Sequence, residues 1–323
     1  MGDRPGRTVI VIRGPVPSPI LPRPILPMLD LDRILFPTDF SETARHALPY
    51  AAYLAARHDA ALTILHVQSP GGEGGADPDD ELDICQETAS RQFDVDLGDL
   101  EGSRIEREVR SGTSVDEVVV EEAEAQGTDL VVMGTARRHG LASLFPQSTA
   151  VRVVRRAPCP VVTLLSDAEV DPAPLGRILV PTDFSDPADQ ALGYARDLAA
   201  RDGATIIPVH VIEELTVPLV YDVDVAELDT DDVRRRARSS LQEVSEAEHV
   251  RVVSGHPGRR IVEVAEEEEA DLIVIATHGR TGLPRVLLGS VAETVIRRAD
   301  CPVLTVRSDL HAEETAGSAA SGA

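Results

Sequence analysis

The sequence predicts an α/β protein: two tandem, doubly wound domains, each on a five-stranded parallel sheet. Three observations predict it. A long segment of the chain is written twice, each copy alternates short apolar runs with helical stretches, and the apolar runs are continuous. Continuous runs suit strands buried on both faces of a parallel sheet. Strict βα alternation implies right-handed crossovers and helices on both faces, a Rossmann-like arrangement.

The repeat is explicit. Arg33-Ile-Leu-Phe-Pro-Thr-Asp-Phe-Ser41 returns as Arg177-Ile-Leu-Val-Pro-Thr-Asp-Phe-Ser185, 144 residues later. At the same offset Ala47, Tyr50, Leu54, Ala55, Arg57, His66 and Val67 match Ala191, Tyr194, Leu198, Ala199, Arg201, His210 and Val211. Farther on, Asp129-Leu130 matches Asp271-Leu272 and Cys159-Pro-Val-Val-Thr matches Cys301-Pro-Val-Leu-Thr, now 142 apart, so a short deletion lies between the anchors. A period this long marks a duplicated domain rather than a solenoid. The expected division is a Pro-rich disordered leader (1–30), a first domain (31–166), a linker (167–176), a second domain (177–308) and a disordered Gly/Ser/Ala tail (309–323).

Within a copy the order reads strand, helix, strand, loop and helix, strand, helix, strand, helix, strand. In the second copy Ile178–Val180 is the first strand. Ser185 is placed to cap the helix that follows, with Pro187 in its first turn. Val209–Val211 ends the second strand, 231–247 is helical, and Val250–Val253, Leu272–Ala276 and Val303–Val306 are the remaining strands.

Composition limits the function. The chain has 323 residues, 42% of them hydrophobic, enough to bury a core in each domain. Aromatics make up 3% and Trp is absent, so the cores rest on Ala, Val, Leu and Ile. Net charge is −24, and all 31 basic side chains are Arg. Such a field repels nucleic acid and anionic lipid, so neither is an expected partner. An acidic, lysine-free surface is foremost a solubility device. Cys85, Cys159 and Cys301 lack metal-ligand spacing, and Cys159 and Cys301, at matching repeat positions, read as small buried residues. No stretch is long enough to span a membrane, and the Pro-broken leader lacks a signal-peptide core, so the expected location is cytoplasmic.

Ligands of open α/β sheets bind beyond the carboxyl ends of strands. After the fourth strand of the second copy comes Ala276-Thr-His-Gly279-Arg280, then, at the far end of the loop, Gly289-Ser290-Val291-Ala-Glu293. The glycines let backbone approach a phosphate closely. Ser290 and Glu293 have the spacing of a capping box, and a helix start offers N–H donors to an anion. The Arg280 guanidinium is placed to pair with a phosphate oxygen. In the first copy the aligned residues are Gly134, Arg137, Gln147 and Ser148, with Val151 in place of Glu293. Arg137 adds bulk, and Gln147 replaces a glycine expected to need positive φ.

These residues resemble the universal stress protein family over both copies. Pro-Thr-Asp-Phe-Ser after strand one and a loop of pattern G-x-x-G-x9-G-[S/T] carry the likeness; the second copy keeps the spacing with Ala276 in place of the first glycine. The resemblance implies ATP held between strand ends, with Mg²⁺ accompanying its phosphates. Pro181, Thr182 and Asp183 would border adenine and ribose, Asp183 accepting from ribose hydroxyls. Val211 would meet the adenine edge through its backbone, and Ala276 would lie near the ribose. Gly279, Gly289, Ser290 and Val291 would hold the phosphates. The first copy, which retains Asp39 and Val67 but lacks both loop glycines, is expected not to bind. The resemblance also implies that Val161–Leu165 and Val303–Val306 pair antiparallel, making a pseudo-dimer within the chain, an arrangement compatible with further association of two chains into a homodimer.

The first functional reading is therefore a regulatory, ATP-binding stress-response protein. Paired carboxylates, a nucleophile with its base and a metal cluster are all missing from the sequence pattern, although slow ATP hydrolysis stays compatible with it. A second reading is a nucleotide-free scaffold acting through protein partners, favoured by Ala276 and the eroded first copy. A third, an ATP pyrophosphatase-type ligase, requires a Ser-Gly-Gly-x-Asp-Ser loop where this chain has Pro181-Thr-Asp-Phe-Ser.

Overall fold

A computed structural model describes residues 10–11, 31–68, 104–136, 148–166, 174–213, 215–216, 230–279 and 288–307. The first copy comprises β1 (Arg33–Thr38), α1 (Glu42–His58), β2 (Ala61–Gln68), β3 (Ile105–Ser111), α2 (Val115–Gln126), β4 (Leu130–Thr135), α3 (Thr149–Arg156) and β5 (Val161–Leu165). The second comprises β6 (Arg177–Pro181), α4 (Asp186–Asp202), β7 (Thr205–Ile212), α5 (Thr230–Ser245), β8 (Arg251–Ser254), α6 (Pro257–Glu267), β9 (Leu272–Ala276), α7 (Ser290–Ile296) and β10 (Val303–Val306). The helix expected between β2 and β3 falls outside the described residues.

All ten strands form one sheet in the order β8-β7-β6-β9-β10-β5-β4-β1-β2-β3. Each copy contributes five parallel strands in the same internal order, and the two halves meet where β10 pairs antiparallel with β5. Val303 faces Thr163 and Thr305 faces Val161. The threonine hydroxyls explain the repeated Cys-Pro-Val-x-Thr. Thr305 Oγ1 donates to the Val161 carbonyl at 2.9 Å, and its repeat mate Thr163 reaches the Val303 carbonyl at 3.5 Å. Both are buried, where an unpaired hydroxyl would be costly.

Successive strand residues point to opposite faces, and the core divides accordingly. Ile34, Phe36, Ile178 and Val180 pack under α1 and α4. Leu35, Leu179, Ile273 and Ile275 pack under α2, α3, α6 and α7. Each cluster runs through both copies, so the halves share their core. Side chains such as Leu35, Leu179 and Ile178 are fully buried, each stabilising by about 1.5–3 kcal/mol. α1 and α4 present Ala47, Ala51, Ala55, Ala191 and Ala195 to the sheet. Small residues allow close approach; an added Cβ at Gly134 of β4 would stand 2.2 Å from the Thr43 carbonyl oxygen.

The matched Arg and Asp anchors are architectural. The Asp271 carboxylate accepts from the Gly176 and Arg177 amides at 2.8 and 2.7 Å, and Asp129 does the same for Asp32 and Arg33 at 3.0 and 2.9 Å. Each fixes the start of its copy's first strand. Of the leader, only Ile10–Val11 is described. It forms a two-residue antiparallel ladder with Leu215–Thr216. Among the described residues no helix is long and apolar enough to cross a membrane.

Candidate functional site

In each copy the strand order reverses between the first and fourth strands, so a crevice opens at the carboxyl ends of β6 and β9, and of β1 and β4. The first wall of this crevice is built alike in both copies. After β6, the Thr182 hydroxyl accepts from the Phe184 amide at 3.0 Å, and Asp183 Oδ1 accepts from the Ser185 amide at 3.1 Å. Ser185 is the N-cap of α4, as the sequence predicts, and accepts from the Ala188 amide. Thr38, Asp39, Phe40 and Ser41 repeat every one of these contacts, with Ser41 capping α1. Phe184 and Phe40 both adopt the left-handed region, at φ 62 and 58. That conformation costs a non-glycine residue about 1–2 kcal/mol.

Two residues hold this turn in place that the sequence marks only as repeat matches. His210 Nδ1 donates to the Thr182 carbonyl at 2.9 Å, and its ring lies 4.7 Å from that of Phe184. His66 does the same to Thr38 and Phe40. A histidine kept at equal offset behind a Thr-Asp-Phe turn is the signal that could have found them.

Val211 reaches the crevice by strand geometry. Val209 directs its carbonyl to the Thr182 amide, on the β6 side of β7. Main-chain groups two residues apart share a side, so those of Val211 face the same way. There β6 has already ended at Pro181, which pairs with Val209. The Val211 backbone edge thus opens into the crevice, suited to a planar heterocycle.

The second wall is described only for the second copy. β9 ends at Ala276, which is buried, and the chain continues through Thr277, His278 and Gly279. A Cβ at Gly279 would lie 2.5 Å from Asp183 Oδ2. The two walls therefore touch here, through bare backbone against a carboxylate. A Cβ at Gly289 would lie 3.1 Å from the Thr277 carbonyl oxygen, which accepts the Gly289 amide at 2.8 Å. Beside this contact, His278 Nδ1 meets the Thr277 hydroxyl at 3.0 Å, while its buried Nε2 has no hydrogen-bond partner among the described residues.

The geometry corrects two expectations. Gly289 has φ −62, so it is required by close approach and not by positive φ. Gly289, not Ser290, is the N-cap of α7; Ser290 is the first helical residue and no side chain caps the helix. Glu293 does not close a capping box: it stands four residues after the Gly289 N-cap rather than three, and its Oε1 accepts from Arg297 at 2.8 and 3.1 Å. Capping belongs instead to the first copy, where Ser148 accepts from the Val151 amide at 3.3 Å. Gly289 spends its amide on Thr277. The amides of Ser290 and Val291 bond to no acceptor among the described residues. Arg280, Arg137 and Gln147 lie outside the described residues.

Of the expected site residues, Pro181, Thr182, Asp183 and Val211 line one wall. Ala276, Gly279, Gly289, Ser290 and Val291 follow one another along the other. The glycine cradle and the orphaned histidine nitrogen fit a ligand with a polar, anionic end. Among the described residues no group of three or more His, Cys, Asp or Glu could hold a metal ion.

Comparison with known proteins agrees with this architecture. The model of the universal stress protein family matches residues 31–164 and again 174–307. A universal stress protein of Methanocaldococcus jannaschii is 37% identical over 138 residues, 41% of this chain and 81% of that protein. One from Mycolicibacterium smegmatis is 27% identical over 288 residues, 85% of this chain and 96% of its own length. The crystal structure of a universal stress protein from Archaeoglobus fulgidus superposes with a TM-score of 0.58 at 25% identity, covering 86% of this chain and 99% of that one. With both copies matched and the tandem arrangement shared end to end, the chain belongs to the universal stress protein family.

Proposed function

We propose that this protein is a regulatory ATP-binding protein of the stress response, with the nucleotide held by the second copy alone. The single observation that carries this reading is the bare-backbone contact between the two walls. At Gly279 and Gly289 there is no room for a side chain without moving Asp183 or the Thr277 main chain. The sequence of the first copy has Arg137 and Gln147 at those positions. Its first wall is intact, but its sequence lacks the two loop glycines on which this reading rests.

In this reading the Val211 backbone edge takes the adenine, and Pro181, Thr182 and Asp183 border the base and ribose. Asp183 is a carboxylate, an acceptor suited to sugar hydroxyls. Ala276 stands beside the ribose. Gly279 and Gly289 bring the phosphates close to the main chain, while Ser290 and Val291 donate amides. Arg280 adds a guanidinium to the phosphate end. Bound ATP would supply a triphosphate whose charge Mg²⁺ shields. The chain's own residues bind and orient the nucleotide in a sensing role, with which slow ATP hydrolysis stays compatible.

The test is direct. The purified full-length chain is denatured and the released small molecules are separated by chromatography, with Mg·ATP-dependent melting measured in parallel. Adenine nucleotide at about one equivalent or less, or a rise in Tm with Mg·ATP, is expected. No nucleotide and no effect on melting would instead favour a scaffold that works through protein partners.

A further inference from the structure

The helices α1 and α4 end side by side, one from each copy. By the repeat, Arg57 corresponds to Arg201 and His58 to Asp202. Arg57 grips Asp202 Oδ1 through its NH2 and Nε at 2.6 and 3.2 Å. The symmetry-related contact is between Arg201 NH1 and His58 Nδ1, at 3.2 Å. One latch is thus an ion pair, while in the other a histidine stands where the carboxylate would be.

A guanidinium has only donors. His58 Nδ1 must therefore accept, with its lone pair turned to Arg201 and the ring proton on Nε2. That tautomer is neutral. A second proton would set donor against donor and cation against cation. Of the charges around His58, Asp202 favours a second proton, but burial and the charges of Arg201 and Arg57 outweigh it. Arg57 lies on its own helix, and Asp202 of α4 is already engaged by Arg57 and by the Leu175 amide at 3.3 Å. The neighbouring Asp59 is held by Arg104. We infer that His58 is a pH-sensitive latch between the two copies: it holds Arg201 only while its ring is neutral, and acidification releases it.

Burial, followed by the charge of Arg201, pushes the His58 pKa below its ordinary value. The sign follows. The folded state binds fewer protons at this site than the unfolded chain, so the latch contributes fully above the ordinary histidine range, about pH 6.5. Its contribution declines as pH falls from there through the folded value. The Arg57–Asp202 latch contains no imidazole, so only one half of the seam carries this switch.

The test uses the full chain. NMR should find His58 Nδ1 unprotonated near about pH 7.5 and the ring titrating below the ordinary histidine value. Arg201→Gln should move that titration upward. The denaturation midpoint of the wild type should fall relative to His58→Gln as pH drops from about 7.5 to about 5, because glutamine does not titrate. His58→Asp should rebuild the ion pair of the other latch and remove the loss from this window. A protonated Nδ1, titration at or above the ordinary value, or equal pH slopes in wild type and His58→Gln would overturn the inference. Should the variants fail to fold, the tautomer and titration of the wild type decide alone.

Discussion

The turn Thr182-Asp183-Phe184-Ser185 shows how few side chains shape the site. Phe184 is held at φ 62 by a threonine hydroxyl behind it and a histidine ring beside it. Strain of this kind persists only where the surroundings over-determine it, and here it occurs twice, at matched positions. Across the crevice, Gly279 leaves Asp183 its place. The atom that an added Cβ would meet is the tip of a flexible side chain, 2.5 Å away. Gly279→Ala should therefore cost little stability but displace the carboxylate, weakening ATP binding by tenfold or more, about 1.4 kcal/mol. Gly279→Arg, which copies the first repeat, should abolish binding. Calorimetric titration beside a melting curve separates the two effects; affinity undiminished in the arginine variant would remove Gly279 from the site. The turn was legible in the sequence because the chain writes it twice. The need for glycine at 289 was legible as well, but its cause was not. Close approach of the Thr277 carbonyl is a tertiary fact, and residue type alone suggested positive φ.

Among the elements, the copies solve one packing problem in two ways. In the second copy α6 and α7 touch at Gly258, where a Cβ would stand 2.7 Å from Thr294 Cβ. In the first, the matching positions are Asp116 on α2 and Arg152 on α3, joined by an Nε–Oδ1 contact of 2.8 Å, with Arg156 NH1 3.4 Å from Oδ2. Asp116 is buried, and burial alone would raise its pKa. The hydrogen bonds from Arg152 and Ser114, with the charge of Arg152, outweigh that and hold the carboxyl below its usual value. A depressed carboxylate stabilises the fold above the unfolded aspartate pKa, about 3.9, and the contribution is lost as pH falls below it toward the folded value. Arg152→Ala takes from buried Asp116 its 2.8 Å partner, leaving Arg156, Ser114 and a main-chain hydrogen bond, and should cost about 2 kcal/mol. It should also bring acid unfolding to higher pH. Urea titrations of the two proteins at neutral and acid pH check both; an unchanged acid limb would show that Arg152 does not govern Asp116. Strand positions were legible because continuous apolar runs leave little choice: β5, β9 and β10 fall where expected. Helix pairing was not, since neither Gly258 nor Asp116 announces its partner across 36 residues.

At the scale of the whole molecule, duplication makes one sheet from two halves. The antiparallel junction of β5 and β10 places the copies back to back, so their crevices open independently, one beside β6 and β9 and the other beside β1 and β4. The repeat supplied the two halves, and the family resemblance implied that their last strands pair into a pseudo-dimer. The ladder of Ile10–Val11 with Leu215–Thr216 was not readable, because nothing in a Pro-rich leader specifies a partner. A chain with two crevices of shared ancestry, only one of whose loops keeps both glycines in sequence, should bind one nucleotide. Equilibrium titration of the nucleotide-stripped, full-length protein with Mg·ATP, run for the wild type and for Gly279→Arg, measures this most directly. One equivalent per chain in the wild type and none in the variant is the expected result. Two equivalents, or one that survives Gly279→Arg, would place nucleotide in the first copy and contradict it.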